Sequence, residues 1–505
     1  MKHRSSTAVA AVLSTTSLVV AGTSVAAGGG AGSPGVGDPY YPDYGNGGYD
    51  VRHYRVAVDY DPAADSIEGR TTIRARATQR LTQFDLDLVL PASKVVVDGR
   101  PATFTQTEHE LVVTPRRPLH RGEPMRVTVT YAGTPADYSA HGISPWITTS
   151  DGAAAVGEPE IAPWWFPSND HPRDKATYDV EVTVPHDVEA LGNGVLVSSR
   201  RDGADRTWHW RERKPMATYL AFFVAGQFDI THSRTPSGLP VINAVASNGG
   251  SEGDYAAADL ARTPEVVRWE SRQWGPYPFE AMGGVAPAAD FGFALENQTR
   301  PVYTRGFWRN GPNIYVVVHE LAHQWYGDSV SVENWRDIWL NEGFASFTEW
   351  LWSEKHGEGT AAEIFREVYD GIPADAPFWD LTIGDPGKGR EFAGAVYDRG
   401  AMTLQALRTR IGGPAFFDTM RTWAREHRYG NGSIAQFIGL AERVSGQRLD
   451  GFFDAWLYTG AKPEPTRANG FPADWDSTTS ARRNVTSLGK IRSVRRHLLD
   501  TGHAG

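Results

Sequence analysis

Between residues 49 and 235 apolar positions alternate with polar ones. Tyr54-Arg55-Val56-Ala57-Val58, Thr71-Thr72-Ile73-Arg74-Ala75, Met125-Arg126-Val127-Thr128-Val129 and Tyr178-Asp179-Val180-Glu181-Val182-Thr183-Val184 all follow this period of two. It marks strands with one face in a core, and turn-forming spacers such as Asp98-Gly99 separate the runs. The pattern predicts an all-β, sandwich-like amino-terminal domain over residues 49–235. Asp59, Asp61 and Asp65 share one spacer, but their spacing fits no calcium loop and reads as a solvated turn.

From residue 236 to 460 the period lengthens towards that of a helix. Helices are expected over residues 255–274, 312–326, 335–356, 361–369 and 401–411, giving a mainly α second domain. Asn334 can cap the third of these, and Gly357 can end it. The flanks differ. Residues 28–48 are rich in Gly and Pro and read as a linker. Residues 461–505 return to low apolar content, with eight Lys and Arg against four acids, a net +4. They read as a basic, mobile tail.

The first residues carry a targeting signal. Lys2 and Arg4 precede an apolar run over residues 8–20, and Ser24-Val25-Ala26-Ala27 offers small residues for a signal peptidase. Residues 1–27 therefore read as a cleaved leader, which makes the mature protein secreted. No other stretch approaches eighteen apolar residues, so no membrane anchor is expected.

Composition narrows the chemistry. With 505 residues the chain has room for two or three domains. It contains no cysteine, which excludes disulfides, thiol nucleophiles and cysteine-held metal. Any metal must be held by His and carboxylates. The formal charge is −10, or −12 once Lys2 and Arg4 leave with the leader. No basic groove appears before residue 480, so nucleic-acid binding is not expected. Residues 384–390 lack the Lys-Ser/Thr of a phosphate loop. For oligomeric state a monomer is the expectation.

Against this background one segment stands out: His319-Glu320-Leu321-Ala322-His323, followed by Asn341-Glu342-Gly343-Phe344-Ala345. Two histidines four apart on a helix project from one face, about 40° apart. That spacing lets both imidazoles reach one zinc ion, while Glu320 can act on water beside it. Catalytic zinc needs a third protein ligand and an open position, and Glu342, on a second helical segment, fits the third role. A buried His-Glu-His cluster with no ligand would be costly, and the apolar residues around it say that it is buried. The chemistry indicated is hydrolysis, with a peptide as the substrate class. Glu349 either orients a ligand histidine from behind or faces solvent.

These segments resemble the aminopeptidase N family of zinc metallopeptidases, the gluzincin aminopeptidases. Phe293-Ala294-Leu295-Glu296-Asn297 is similar to the family's Gly-Ala-Met-Glu-Asn motif. Val396-Tyr397-Asp398-Arg399-Gly400 resembles its Tyr-Glu-Lys-Gly element. Trp165-Phe166-Pro167-Ser168-Asn169-Asp170-His171-Pro172 with Lys175-Ala176-Thr177-Tyr178 looks like its amino-domain signature. The likeness spans about residues 50–460. It implies a thermolysin-like catalytic domain, one zinc ion held by His319, His323 and Glu342, and Glu320 as general base and acid. It also implies Tyr397 as oxyanion donor, and Glu296, Ala294, Asn297 and Glu158 as the substrate-binding set, the two acids holding a peptide's free amine. Phe293 and Leu295 depart from the family's glycine and methionine, which reshapes the first substrate pocket. The chain stops soon after the catalytic segment, so the helical carboxy-terminal domain of many relatives is expected to be missing.

Three other readings compete. A thermolysin-like endopeptidase would share the metal chemistry but needs no amine pocket, so Glu296 and Glu158 argue against it. An inactive peptide-binding protein has no use for His319, Glu320, His323, Glu342 and Tyr397 together. Epoxide hydrolysis, a side activity that the resemblance also allows, leaves no mark on the sequence.

Overall fold

Strands form where the alternation requires them. In Ser66–Ala77 and Pro124–Gly133, Ile67, Thr71, Ile73, Ala75, Met125, Val127, Val129 and Tyr131 all point into the core. The computed structural model describes residues 30–475 and 485–500. The leader at residues 1–27 and part of the carboxy-terminal segment lie outside the described residues.

The amino-terminal region is β-rich. Its main sheet has eight strands in the order Val195–Asp202, Asp205–Met216, Ala176–Pro185, Tyr49–Asp61, Ser66–Ala77, Pro124–Gly133, Ala92–Val97 and Arg100–Pro101. Only Tyr49–Asp61 and Ala176–Pro185 pair in parallel; the other neighbours are antiparallel. A smaller sheet pairs Phe84–Asp87 with Glu110–Thr114 and then Thr103–Gln106. Asp65, read as solvated, instead accepts hydrogen bonds from Tyr60 and from the Trp146 indole at 2.9 and 3.1 Å.

A five-stranded sheet follows, in the order Phe228–Arg234, Pro240–Ala246, Met282–Ala286, Val302–Tyr303 and Ala294–Leu295. The helical pattern did not announce it: Met282–Ala286 and Val302–Tyr303 in its middle are short and buried on both faces. Among the described residues ten helices lie between and after these strands: α1 (Gly250–Leu260), α2 (Thr263–Trp274), α3 (Ile314–Ala322), α4 (Trp339–His356), α5 (Ala361–Gly371), α6 (Gly394–Ile411), α7 (Gly413–Glu426), α8 (Ile434–Ser445), the short α9 (Asp450–Phe453) and α10 (Leu488–Asp500). The helix expected over residues 255–274 is two helices, and Pro264 sits in the first turn of the second. There its missing N–H costs nothing, whereas inside one long helix it would break the ladder. Gly357 ends α4 in a left-handed conformation with φ of 69°. Asn334 precedes a short 3-10 turn at Trp335–Asp337 rather than capping α4 with its side chain.

Two flanking expectations are corrected. The segment read as a Gly- and Pro-rich linker is packed. Tyr40, Tyr41 and Tyr44 are buried. Asp38 accepts from the backbone N–H groups of Tyr40 and Trp335, at 2.8 and 2.9 Å, and lies 3.1 Å from His171 Nε2. Glycine content hid three aromatic anchors. The basic tail is not free either. Leu488, Ile491 and Val494 give α10 an apolar stripe that is buried, and Arg495 is buried with them.

Lys175, from the amino-domain signature, and Arg173 near it tie the two regions together. Lys175 Nζ donates to the carbonyls of Asp328, Ser329 and Gly430 at 2.7, 3.2 and 2.9 Å. Arg173 Nε donates to the Glu333 carbonyl at 2.6 Å, just ahead of α4.

Candidate active site

α3 starts at Asn313, whose side chain accepts from the Tyr315 N–H, and every residue from Ile314 to Ala322 is buried. The helix therefore presents His319 and Glu320 inside the protein, with His323 just past its last turn. α4 lies beside it and brings Glu342. α6 crosses α4 where Gly343 meets Gly400: a Cβ built on Gly343 would stand 2.9 Å from the Gly400 Cα, and one on Gly400 would stand 2.7 Å from the Gly343 Cα. Only glycine allows that approach. It carries Tyr397, three residues before Gly400 on α6, into the pocket that Glu342 lines.

The two imidazoles are held by their outer nitrogens. His323 Nδ1 lies 3.0 Å from the Tyr326 carbonyl, which can only accept, so this nitrogen carries the hydrogen. His319 Nδ1 likewise faces Glu349 Oε1 at 2.7 Å. Both Nε2 atoms then turn lone pairs towards Glu342 Oε2, at 3.2 and 3.6 Å. These two nitrogens and the carboxylate oxygen, all buried and within 4.8 Å of one another, call for positive charge among them, which a metal ion supplies in place of ring protons. The donor set of two imidazoles and one carboxylate suits zinc. The metal residues expected from sequence thus fit the ion.

Glu349 resolves in favour of the histidine: it is buried, and its Oε1 also accepts from Arg495 Nη2 at 2.7 Å. Arg495 Nη2 donates to Ser346 Oγ at 2.7 Å, its Nε to Asp398 Oδ1 at 3.1 Å, and its guanidinium lies 5.0 Å from the Tyr397 ring centre. The sequence reading missed Arg495. Its signal was the apolar stripe Leu488, Ile491, Val494, which makes residue 495 part of an inward helix face.

A narrow pocket opens on these ligands. Besides His319, Glu320, His323, Glu342 and Tyr397 it is lined by Glu158, Glu296, Ala294, Phe293, Leu295 and Phe392. Glu296 follows the edge strand Ala294–Leu295 and accepts from the Tyr219 hydroxyl at 3.0 Å, while its carbonyl accepts from Gln324 Nε2 at 3.1 Å. Glu158 Oε1 is buried without a hydrogen-bond partner. Asn297 is brought close in sequence but not into the pocket wall: it donates to the Leu220 carbonyl at 3.0 Å and braces the strand end.

Four carboxylates in one buried pocket shape its electrostatics. Burial, reinforced by Glu296 and Glu342, pushes Glu158 well above the usual carboxylate range. Burial also raises Glu296 and lifts Glu320 to about 8. Glu342 alone is held down, to about 2: burial opposes its charge, but His323 and His319 outweigh it. Such a pocket attracts cations, whether a metal or an ammonium group.

Residues 51–220 match the Peptidase M1 N-terminal domain and residues 308–456 the Peptidase family M1 domain. Among curated proteins the chain is similar to aminopeptidase N of Lactobacillus delbrueckii subsp. lactis, 27% identical over 80% of this chain and 50% of that protein. It is also similar to aminopeptidase M1 of Arabidopsis thaliana (27%, over 62% of this chain and 36% of that protein) and to glutamyl aminopeptidase of Bos taurus (28%, 60% and 34%). The chain thus spans about a third to a half of these relatives' length. Among solved structures it resembles an M1 zinc metallopeptidase from Deinococcus radiodurans, with a TM-score of 0.75 and 27% identity, covering 86% of this chain and 100% of that one. A mutant of that enzyme bound to a Tyr-Ser-Ala substrate gives 0.76 at 27% identity, covering 85% and 100%.

Proposed function

We propose, from the premise that the chain belongs to peptidase family M1, that it is a zinc-dependent aminopeptidase hydrolysing the first peptide bond of peptides with a free amino terminus. The observation that carries this reading is the presence of Glu296 and Glu158 in the same pocket as His319, Glu320, His323 and Glu342. An endopeptidase must pass upstream substrate residues through that space and gains nothing from two buried acids there.

His319, His323 and Glu342 would hold the zinc ion. When bound, the ion supplies a Lewis acid that acidifies water and polarises a carbonyl. Glu320 takes the proton of the attacking water and returns it to the leaving amine. Tyr397 donates its hydroxyl to the oxyanion that develops on the carbonyl. Glu296, steadied by Tyr219, and Glu158 hold the substrate's α-ammonium, so that the first peptide bond and no other meets Glu320. Phe293, Leu295 and Phe392 give the pocket apolar walls, which favour a large apolar or aromatic first side chain. The leader read in residues 1–27 makes this an exported enzyme.

A panel of aminoacyl chromogenic amides and matched amino-acetylated peptides tests the proposal. Free-amine substrates should be cleaved, aromatic ones fastest; acetylated ones should fail, and a chelator should abolish turnover in a zinc-restorable way. Internal cleavage of acetylated peptides at a rate matching the trimming of free ones would replace this reading with the endopeptidase one.

A further inference from the structure

Asp87 and Glu110 stand directly opposite each other in the antiparallel pair formed by Phe84–Asp87 and Glu110–Thr114. Directly opposed residues share a face, and like charges there destabilise the pair. Here the pair is also desolvated: the Asp87 side chain is 0% exposed and that of Glu110 15%. His109, 6% exposed, completes the cluster. Asp87 Oδ2 is used, accepting from Asn46 Nδ2 at 3.1 Å and from the Asp170 N–H at 2.6 Å. Asp87 Oδ1, both Glu110 oxygens and His109 Nδ1 are buried and make no hydrogen bond.

The histidine shows why. Its Nε2 lies 2.9 Å from Glu160 Oε2 and donates to it. The opposite nitrogen faces Asp87 Oδ1 at 3.6 Å and Glu110 Oε1 at 3.7 Å, beyond hydrogen-bond reach of either. A proton on that nitrogen could serve one acceptor only, whereas a shared cation would bridge all three atoms. The three donor atoms lie within 4.8 Å of one another. Donors bound to one ion at about 2.1 Å sit roughly 3.4 Å apart in a tetrahedron, so small shifts would close the set around a cation. A carboxylate accepting from the far nitrogen of a ligand histidine is the usual support of such a site, and Glu160 supplies it.

We propose that Asp87, His109 and Glu110 form a second divalent-cation site, of the zinc or manganese class, in the amino-terminal β-rich region. The ion staples the two strands where their opposed acids would otherwise repel. One imidazole with two carboxylates suits either metal.

Full-length protein stripped with chelator is equilibrated with zinc alone or manganese alone, desalted and assayed for metal per chain. Native protein should saturate at two equivalents. Glu110→Gln, nearly isosteric and at the rim of the cluster, should keep one, and His323→Ala should keep the other. Anomalous scattering from native crystals at the metal's absorption edge locates both ions with no variant at all. A native chain that saturates at one equivalent with both metals overturns the second site. So does a Glu110→Gln chain that retains two, or an anomalous map without a peak beside His109. Retention of two equivalents in His323→Ala would count instead against the peptidase centre, so the two readings fail separately.

Discussion

The His319, His323, Glu342 cluster in the helical region and the Asp87, His109, Glu110 cluster in the β-rich region use one device. In each, an acceptor takes the N–H of a histidine's outer nitrogen and leaves the inner nitrogen bare before carboxylate oxygens. They differ in what surrounds the bare atoms. The helical cluster opens on a pocket that also holds Glu296, Glu158, Glu320 and Tyr397. The strand cluster is closed by Asn46, Asp170 and Glu160, whose hydrogen bonds hold its ligands in place. Similar donor sets thus serve different ends: access makes one a reaction centre, and closure makes the other a staple.

The sharpest way to break that contrast acts on Glu320, which has no counterpart in the strand cluster. Glu320→Gln preserves shape and leaves His319, His323 and Glu342 untouched, so metal content should equal that of native protein. Turnover should fall ~10⁴-fold, the upper range for losing a general base. A metal-replete variant with near-native turnover would remove the functional distinction between the two clusters.

The two clusters also differ in how far they could be read from sequence. Four residues of helix place His319 and His323 on one face, so spacing alone announces them. Asp87 and Glu110 are joined by strand register, which no local spacing records. The same contrast runs through the fold. Alternation marked Ser66–Ala77 and Pro124–Gly133, whereas Met282–Ala286, buried throughout, carries no alternation to find. α8 was overlooked although Ser433 and Gln436 form a capping box at its start. Composition misled at both ends, where glycine and arginine outweighed Tyr40, Tyr41, Tyr44 and the stripe of α10. Phe392 reaches the pocket, and Tyr219 reaches Glu296 behind it, from segments whose sequence names no chemistry.

A second test bears on the pocket's open side. Tyr397→Phe keeps the ring beside His319, with centroids 6.0 Å apart in the native protein, and removes only the hydroxyl. The expected loss is roughly 3 kcal/mol of transition-state stabilisation, about 10²-fold, falling on kcat with KM and metal content unchanged. A rise in KM at constant kcat would make Tyr397 a binding residue and leave the oxyanion without its donor.

The smallest effect should come from Arg495, and it asks whether the open cluster needs a closed back like its counterpart. Glu349 accepts from both His319 and Arg495, as Glu160 accepts from both His109 and His141. Arg495→Met keeps the apolar stem of the side chain but strips Glu349 of its cation, freeing the carboxylate to turn away from His319. It also removes the donor that Asp398, next to Tyr397, accepts. Losing such a supporting contact commonly costs 10–100-fold in metal affinity or activity; with the His319 contact still available, about tenfold weaker zinc binding at the catalytic centre is expected. A zinc titration followed by turnover reads this directly, and Arg495→Lys should recover part of the loss because a single charge can still reach Glu349. If Arg495→Met lowers the melting temperature but leaves zinc affinity and kcat at native values, then α10 only packs against the catalytic helices. In that case His319 is oriented by Glu349 alone.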